Sequence, residues 1–245
     1  MQTTDRGPLH VVHFKPAASA AEVQRAPIES LMLNLGKLGV RVVAVVAPTS
    51  VQEVRPMSRA LCASFAAADI KTALIDLDPT GAAEDADPGW NPGLKLSAMH
   101  TQRDPAGYDL VVSRPTQQTR PLFNNLQHFR RALMEDLGAY KAVIINLSPI
   151  FDAGSTAPNP IAAARAADAV IVVCGTGRTD ASDATKAVND LTAAGCKVIG
   201  TILDNTDAAQ VGPEMAEALE RLTFLPPRMK QVLGSALRNS KLLNG

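Results

Sequence analysis

The chain has 245 residues, no net formal charge and 46% apolar residues, enough for one large α/β domain or two small ones. A neutral chain argues against nonspecific nucleic-acid binding by the whole molecule. No apolar run approaches the ~20 residues of a membrane span. The N-terminal segment lacks the continuous apolar stretch of a signal peptide. The expected location is therefore the cytoplasm. Aromatics make up only 4%, so Ala, Val, Ile and Leu must fill the core. Cys62, Cys174 and Cys196 lie in apolar or helical contexts without metal-ligand spacing and are expected to be buried, reduced thiols.

Residues 1–28 read as an N-terminal arm in which Leu9–Phe14 is a candidate edge strand. Ile28–Leu38 predicts a helix with Ile28, Leu31, Met32 and Leu35 on one face, ended by Gly39. Short apolar runs then alternate with helical patterns. The runs are Val42–Val46, Thr72–Asp76, Leu110–Val112, Val143–Leu147, Ala169–Val173 and Val198–Leu203. They are continuous rather than alternating, as strands covered on both faces require. The predicted helices between them are Met57–Ala68, Pro121–Leu137, Ile161–Ala167 and Asp180–Ala194. In the second of these, Leu122, Leu126, Phe129 and Leu133 form one stripe. Strand–helix alternation with short connections predicts a doubly wound, mostly parallel sheet flanked by helices. Residues 79–109, rich in Pro, Gly and Asp, read as a surface excursion. The resulting division is an arm over 1–28, a domain over 29–225, and a basic tail over 226–245.

The loop between the run Val42–Val46 and the helix at Met57 is the informative segment. A strand, a short loop and a helix in that order commonly cradle phosphate, using inward-facing backbone N–H groups of glycines, a lysine and a magnesium-binding hydroxyl. This loop, 47–56, has neither glycine nor lysine.

The wider pattern resembles the bacterial tyrosine kinases of polysaccharide export, which belong with ATPases of the ParA and MinD kind. The resemblance runs through the strand Val42–Val46, the strand end Ile75-Asp76-Leu77-Asp78, the stretch Tyr140–Pro149, the run Ala166–Val173 and the strand Lys197–Leu203, covering roughly 29–205. It implies a P-loop-type nucleotide-binding fold at the cytoplasmic face of the membrane. Matched residue by residue, the P-loop glycines are replaced by Val51 and Glu53, with Gln52 between them. The phosphate-binding lysine is replaced by Val54 and the magnesium-binding hydroxyl by Arg55; Pro56, without an N–H, follows. The Walker B aspartate position holds Asn146, which cannot supply a charge to Mg²⁺. Asp76 and Asp78 remain as residual acids, and Arg55 is expected to face solvent or pair with Glu53.

The resemblance with these departures implies a catalytically inactive kinase- or ATPase-like adaptor, a pseudokinase, in an exopolysaccharide or adhesin (capsule or holdfast-type) machine. No ATP, Mg²⁺ or other metal is expected. The implied partners are a membrane polysaccharide co-polymerase, a homologous active kinase or a second copy of the chain. The arginine-rich oligomerisation motif of the kinases is not visible in Glu29-Ser30-Leu31-Met32, so a monomer or dimer is expected rather than a ring. Two alternatives stand beside this reading: an active hydrolase or kinase with a remodelled phosphate loop, and a MinD-like membrane-surface positioning protein. The second draws on the tail, where Met229, Val232, Leu233, Ala236 and Leu237 have helical spacing among Arg228, Lys230, Arg238 and Lys241. Packing of that helix on the sheet is the favoured explanation, since only Leu and Met supply bulk and no Trp or Phe anchors the apolar face.

Overall fold

Five successive apolar residues, Val42–Val46, form a strand buried on both faces. Alternate side chains of a pleated strand point to opposite sides, so such a run needs cover above and below. Val42, Ala44 and Val46 enter one core with Phe123, Phe129, Leu133 and Leu191. Val43 and Val45 enter the other with Met57, Leu61 and Phe65. The computed structural model describes residues 10–14, 35–36, 39–50, 52–78, 89–154 and 157–204.

Among the described residues the sheet has eight strands: β1 His10–Phe14, β2 Val42–Val46, β3 Thr72–Asp76, β4 Thr101–Arg103, β5 Asp109–Val111, β6 Ala142–Asn146, β7 Ala169–Gly175 and β8 Val198–Asp204. Their order is β1-β8-β7-β2-β6-β3-β5-β4. Every neighbouring pair is parallel except β4 with β5. Among the described residues the α-helices include α1 Arg55–Ala67, α2 Arg120–Asn124, α3 Leu126–Glu135, α4 Pro160–Ala164 and α5 Ala181–Ala193. This is the doubly wound, mostly parallel sheet that the sequence predicts. The candidate edge strand of the N-terminal arm is present as β1, paired with β8.

Three further readings fall outside the described residues. They are the helix 28–38 except Leu35 and Gly36, the boundaries at 28 and 225, and the tail bearing Arg228, Lys230, Arg238 and Lys241. Among the described residues no helix is long and apolar enough to cross a membrane.

The structure differs from expectation in two places. The single helix predicted over Pro121–Leu137 is two helices, because Asn125 has extended dihedrals (φ −82°, ψ 104°) and its side chain accepts the His128 N–H. Asparagine at a helix start satisfies an orphan donor, and here it outcompetes continuation of the preceding turn. The break shifts the helical phase, so Phe123 is fully buried where the stripe had placed Leu122.

The described part of the segment 79–109, from Gly89 on, is also more than an excursion. Trp90 is fully buried, meets Phe123 edge-on at 6.3 Å, and donates its indole N–H to Asp136 at 3.1 Å. Gly89, at φ +66°, lets the backbone turn against Val112, whose carbonyl a Cβ at 89 would strike. Continuing the same segment, β4 forms one edge of the sheet.

Candidate functional site

Strand β2 has β6 on one side and β7 on the other, so the loop leaving its C-terminal end opens over both halves of the sheet. Ligand crevices of open α/β sheets form at such a divergence. The loop sends one side chain into each half. Arg55 reaches toward β3 and β6, and Gln52 reaches toward β7 and β8.

On the β3–β6 side, strand register places Asp76 directly opposite Asn146. Asp76 receives three donors: Arg55 Nε on Oδ2 at 2.7 Å, and Asn146 Nδ2 at 2.7 Å and the Asp78 N–H at 3.2 Å on Oδ1. A second guanidinium nitrogen, Arg55 Nη2, donates to the Asp78 carbonyl at 3.2 Å. Ser58 Oγ donates to Asn146 Oδ1 at 3.2 Å, and Ser148 Oγ to Asp78 Oδ1 at 3.4 Å. Ser58, Asn146 and Ser148 are buried. The Arg55 and Asp76 side chains keep 27% and 22% of their exposure, which places their ion pair between a screened surface bridge and a buried one. Its contribution is about 1–2 kcal/mol.

The sequence reading of Arg55 is corrected in its partner. Glu53 is exposed, and the pairing is with Asp76, because α1 packs on β3 and β6 and its first residue overlies their ends. Val54, at the lysine position of the resemblance, is a core residue packed with the cluster of Met57 and Leu61. It caps α1 with αR dihedrals and no side-chain hydrogen bond. Pro56 stands in the first turn of α1, where its missing N–H interrupts no intrahelical bond. Val51 lies outside the described residues. Asp76 accepts the N–H of the following turn and pairs with Arg55, and Asp78 accepts the Ser148 hydroxyl.

On the β7–β8 side, the buried Gln52 donates to Asp204 Oδ2 at 2.8 Å and accepts from Arg178 Nη2 at 2.9 Å. The start of the loop is tied to the segment after β6. Ile150 and Phe151 donate to Ala47 and Pro48 carbonyls at 3.0 Å, and Asp152 accepts both the N–H and the hydroxyl of Ser50 at 2.7 and 3.0 Å. Lys186 of α5 lies 4.5 Å over the Phe151 ring. Sequence reading missed Ser58, Asp152, Arg178 and Asp204. Only the Gly175-Thr176-Gly177-Arg178-Thr179 turn, which puts an arginine at a strand's C-terminal end, offered a signal.

Both tyrosines of the chain are buried. Burial, then the Asp109 carboxylate that accepts its hydroxyl at 3.0 Å, pushes the Tyr140 phenol up to about 12. Tyr108 is raised further by burial and by Asp104. All three cysteines are buried, which raises their thiols, that of Cys174 to about 11. Cys196 has a cation nearby, Arg165, whose lowering effect is outweighed by burial, so no thiol of the three is activated.

The architecture is a mostly parallel sheet with a strand–loop–helix at its point of divergence. Among solved structures, the chain has the fold of bacterial tyrosine kinase domains. It matches the kinase domain of Escherichia coli tyrosine kinase ETK with a TM-score of 0.65 and 20% identity, over 79% of each chain. It matches the chimerical protein CapA2B2 at 0.64 and 15%, over 80% of this chain and 93% of that one. The VpsO kinase domain matches at 0.62 and 21%, over 74% and 92%. No protein-family model matches the chain, and no curated protein sequence does.

Proposed function

We propose that the chain is a catalytically inactive kinase-fold adaptor, acting by protein–protein contact in an exopolysaccharide or adhesin synthesis and export machine at the inner face of the membrane. The observation that carries this reading is the pairing of Arg55 with Asp76 beside the amide of Asn146. In the resemblance, these positions belong to the magnesium-binding hydroxyl, a residual acid and the Walker B aspartate. A divalent cation between two carboxylates is electrically balanced. So is one guanidinium beside one carboxylate and one neutral amide. The substitutions at 55 and 146 thus compensate each other in charge and in hydrogen bonding, which suits a site settled without a metal ion.

Two more features support it. The lysine position holds a core valine that cannot contact phosphate. Phosphoryl transfer depends on positioning and charge stabilisation, and these residues supply neither to a nucleotide. The remodelled-loop alternative would need Arg55 for phosphate, yet its guanidinium already serves Asp76 and the Asp78 carbonyl. The partners that suit the adaptor reading are a membrane polysaccharide co-polymerase, an active homologous kinase or a second copy of this chain.

Calorimetric titration of ATP, ADP and GTP with Mg²⁺ tests the proposal. The expected result is no saturable heat at millimolar nucleotide and no rise in melting temperature, since a molecule that binds the native state must stabilise it. Saturable binding would overturn it.

A further inference from the structure

We propose that Gln52 is an internal ligand that locks the loop between β2 and α1 onto the ends of β7 and β8, so that the loop keeps one conformation with no bound molecule. The inference deepens the nucleotide-free reading above and rests on it for its meaning.

A glutamine in a loop over a crevice is ordinarily solvated, and burying its amide without partners costs about 1–3 kcal/mol. Gln52 is 2% exposed and has its partners. Its two N–H groups go to Asp204 Oδ2 at 2.8 Å and the Glu53 carbonyl at 3.1 Å, and its oxygen accepts from Arg178 Nη2 at 2.9 Å. Asp204 can only accept and Arg178 can only donate, so one orientation of the amide satisfies both. Both bonds are charge-assisted, the stronger kind.

The socket is built independently of the loop. Gly175 lies opposite Asp204 in the β7–β8 register, and the Thr176 N–H donates to the Asp204 carbonyl at 2.9 Å. The turn after β7 is closed by the Arg178 and Thr179 N–H groups on the Gly175 carbonyl, at 3.1 and 2.9 Å. Thr179 Oγ1 accepts the Gly175 N–H at 3.0 Å. This turn carries Arg178 back over the strand end. Gly175 does not adopt the left-handed conformation that favours glycine. What its missing side chain provides is space: a Cβ there would overlap Gln52 Oε1 and sit 3.1 Å from Arg178 Nε. The glycine and the glutamine, 123 positions apart, fit as key and slot. The surface presented by the loop is then constitutive, where a nucleotide-dependent loop would switch.

The test is backbone hydrogen exchange over residues 47–56 of the full chain without ligand, in wild type, Gln52→Ala, Gly175→Ala and the double variant. The expected pattern is a protected wild-type loop and exchange about tenfold faster or more in each single variant. Because both substitutions break the same contact, the double variant should be no faster than the faster single one. If Gly175→Ala does not fold, Arg178→Met takes its place in the same cycle. Free-chain exchange of the wild-type loop, an unchanged rate in Gln52→Ala, or simple multiplication of the two effects would overturn the lock. Added protection from Mg²⁺–ATP in wild type, over a loop already slow without it, would overturn the nucleotide-free reading and leave the lock standing.

Discussion

Asn146 donates its side-chain amide to Asp76 across 2.7 Å, from the position directly opposite in the adjacent strand. The amide supplies a donor where a carboxylate would bring a like charge. Asn146→Asp would set a second carboxylate against the first in a buried position. The variant is expected to lose about 1–3 kcal/mol at neutral pH. Burial and like charge raise the new acid's folded pKa above its unfolded value of about 3.9. The folded state then holds the proton more tightly, so the deficit against wild type is small below about pH 4 and grows as pH rises. Urea unfolding at pH 4 and pH 7 checks this, and a deficit that shrank toward neutrality would contradict it.

The Arg55–Asp76 pair is measurable by a double-mutant cycle of Arg55→Ala and Asp76→Ala. A coupling of about 1–2 kcal/mol is expected for a half-buried, charge-assisted bond. A coupling indistinguishable from zero would mark the pair as solvent-screened.

Tyr140 should resist ionisation. With its phenol pushed up to about 12, native protein at pH 10–11 is expected to show little phenolate absorbance, and Tyr108 should ionise later still. The unfolded chain releases these protons near the ordinary value of about 10. Stability therefore falls as pH climbs from about 10 toward 12. Phenolate appearing in folded protein at pH 10 would show that the rings are reachable. By the same burial, neither tyrosine is expected to be modified by an active tyrosine kinase while the domain is folded.

Trp90→Ala is expected to cost about 3–5 kcal/mol, since the indole is fully buried against Phe123 and bonded to Asp136. Chemical denaturation followed by far-ultraviolet circular dichroism checks it. A loss under 1 kcal/mol would return the segment around Trp90 to a surface role.

Asp69→Gly should stabilise the chain by about 0.5–1 kcal/mol. Asp69 sits at φ +58° just past α1, and the Asp69 and Ile70 N–H groups close the helix on Ala66 and Phe65 carbonyls. That closure favours glycine. A melting temperature unchanged or lowered would show that the aspartate makes an offsetting contribution.

The strands were legible because Val42–Val46, Ala142–Asn146 and Ala169–Gly175 are buried on both faces and so carry no polar interruption until their ends. The start of α1 was nearly as legible, since Pro56 tolerates only the first turn. What was hidden depends on residues far apart in sequence. The bonds from Gln52 to Arg178 and Asp204 span 126 and 152 positions, and no local pattern distinguishes a wedged glutamine from a solvated one. Arg55 was suspected of an ion pair, but its nearest acid in sequence, Glu53, is not its nearest in space. Leu122 lost its place to Phe123 because one asparagine capped a new helix.

Among the described residues, strand β1 lies at an outer edge of the sheet, paired with β8 and with no other strand. Its partner begins roughly 190 residues later, at Val198. At synthesis rates of ~5–20 residues per second, β1 waits on the order of 10–40 s before its docking edge is made. For that interval an apolar strand with unpaired backbone is open to other segments and other chains. A shielding contact for β1 in the nascent chain, or a slow step in which β1 is seated long after it is made, follows from that separation alone.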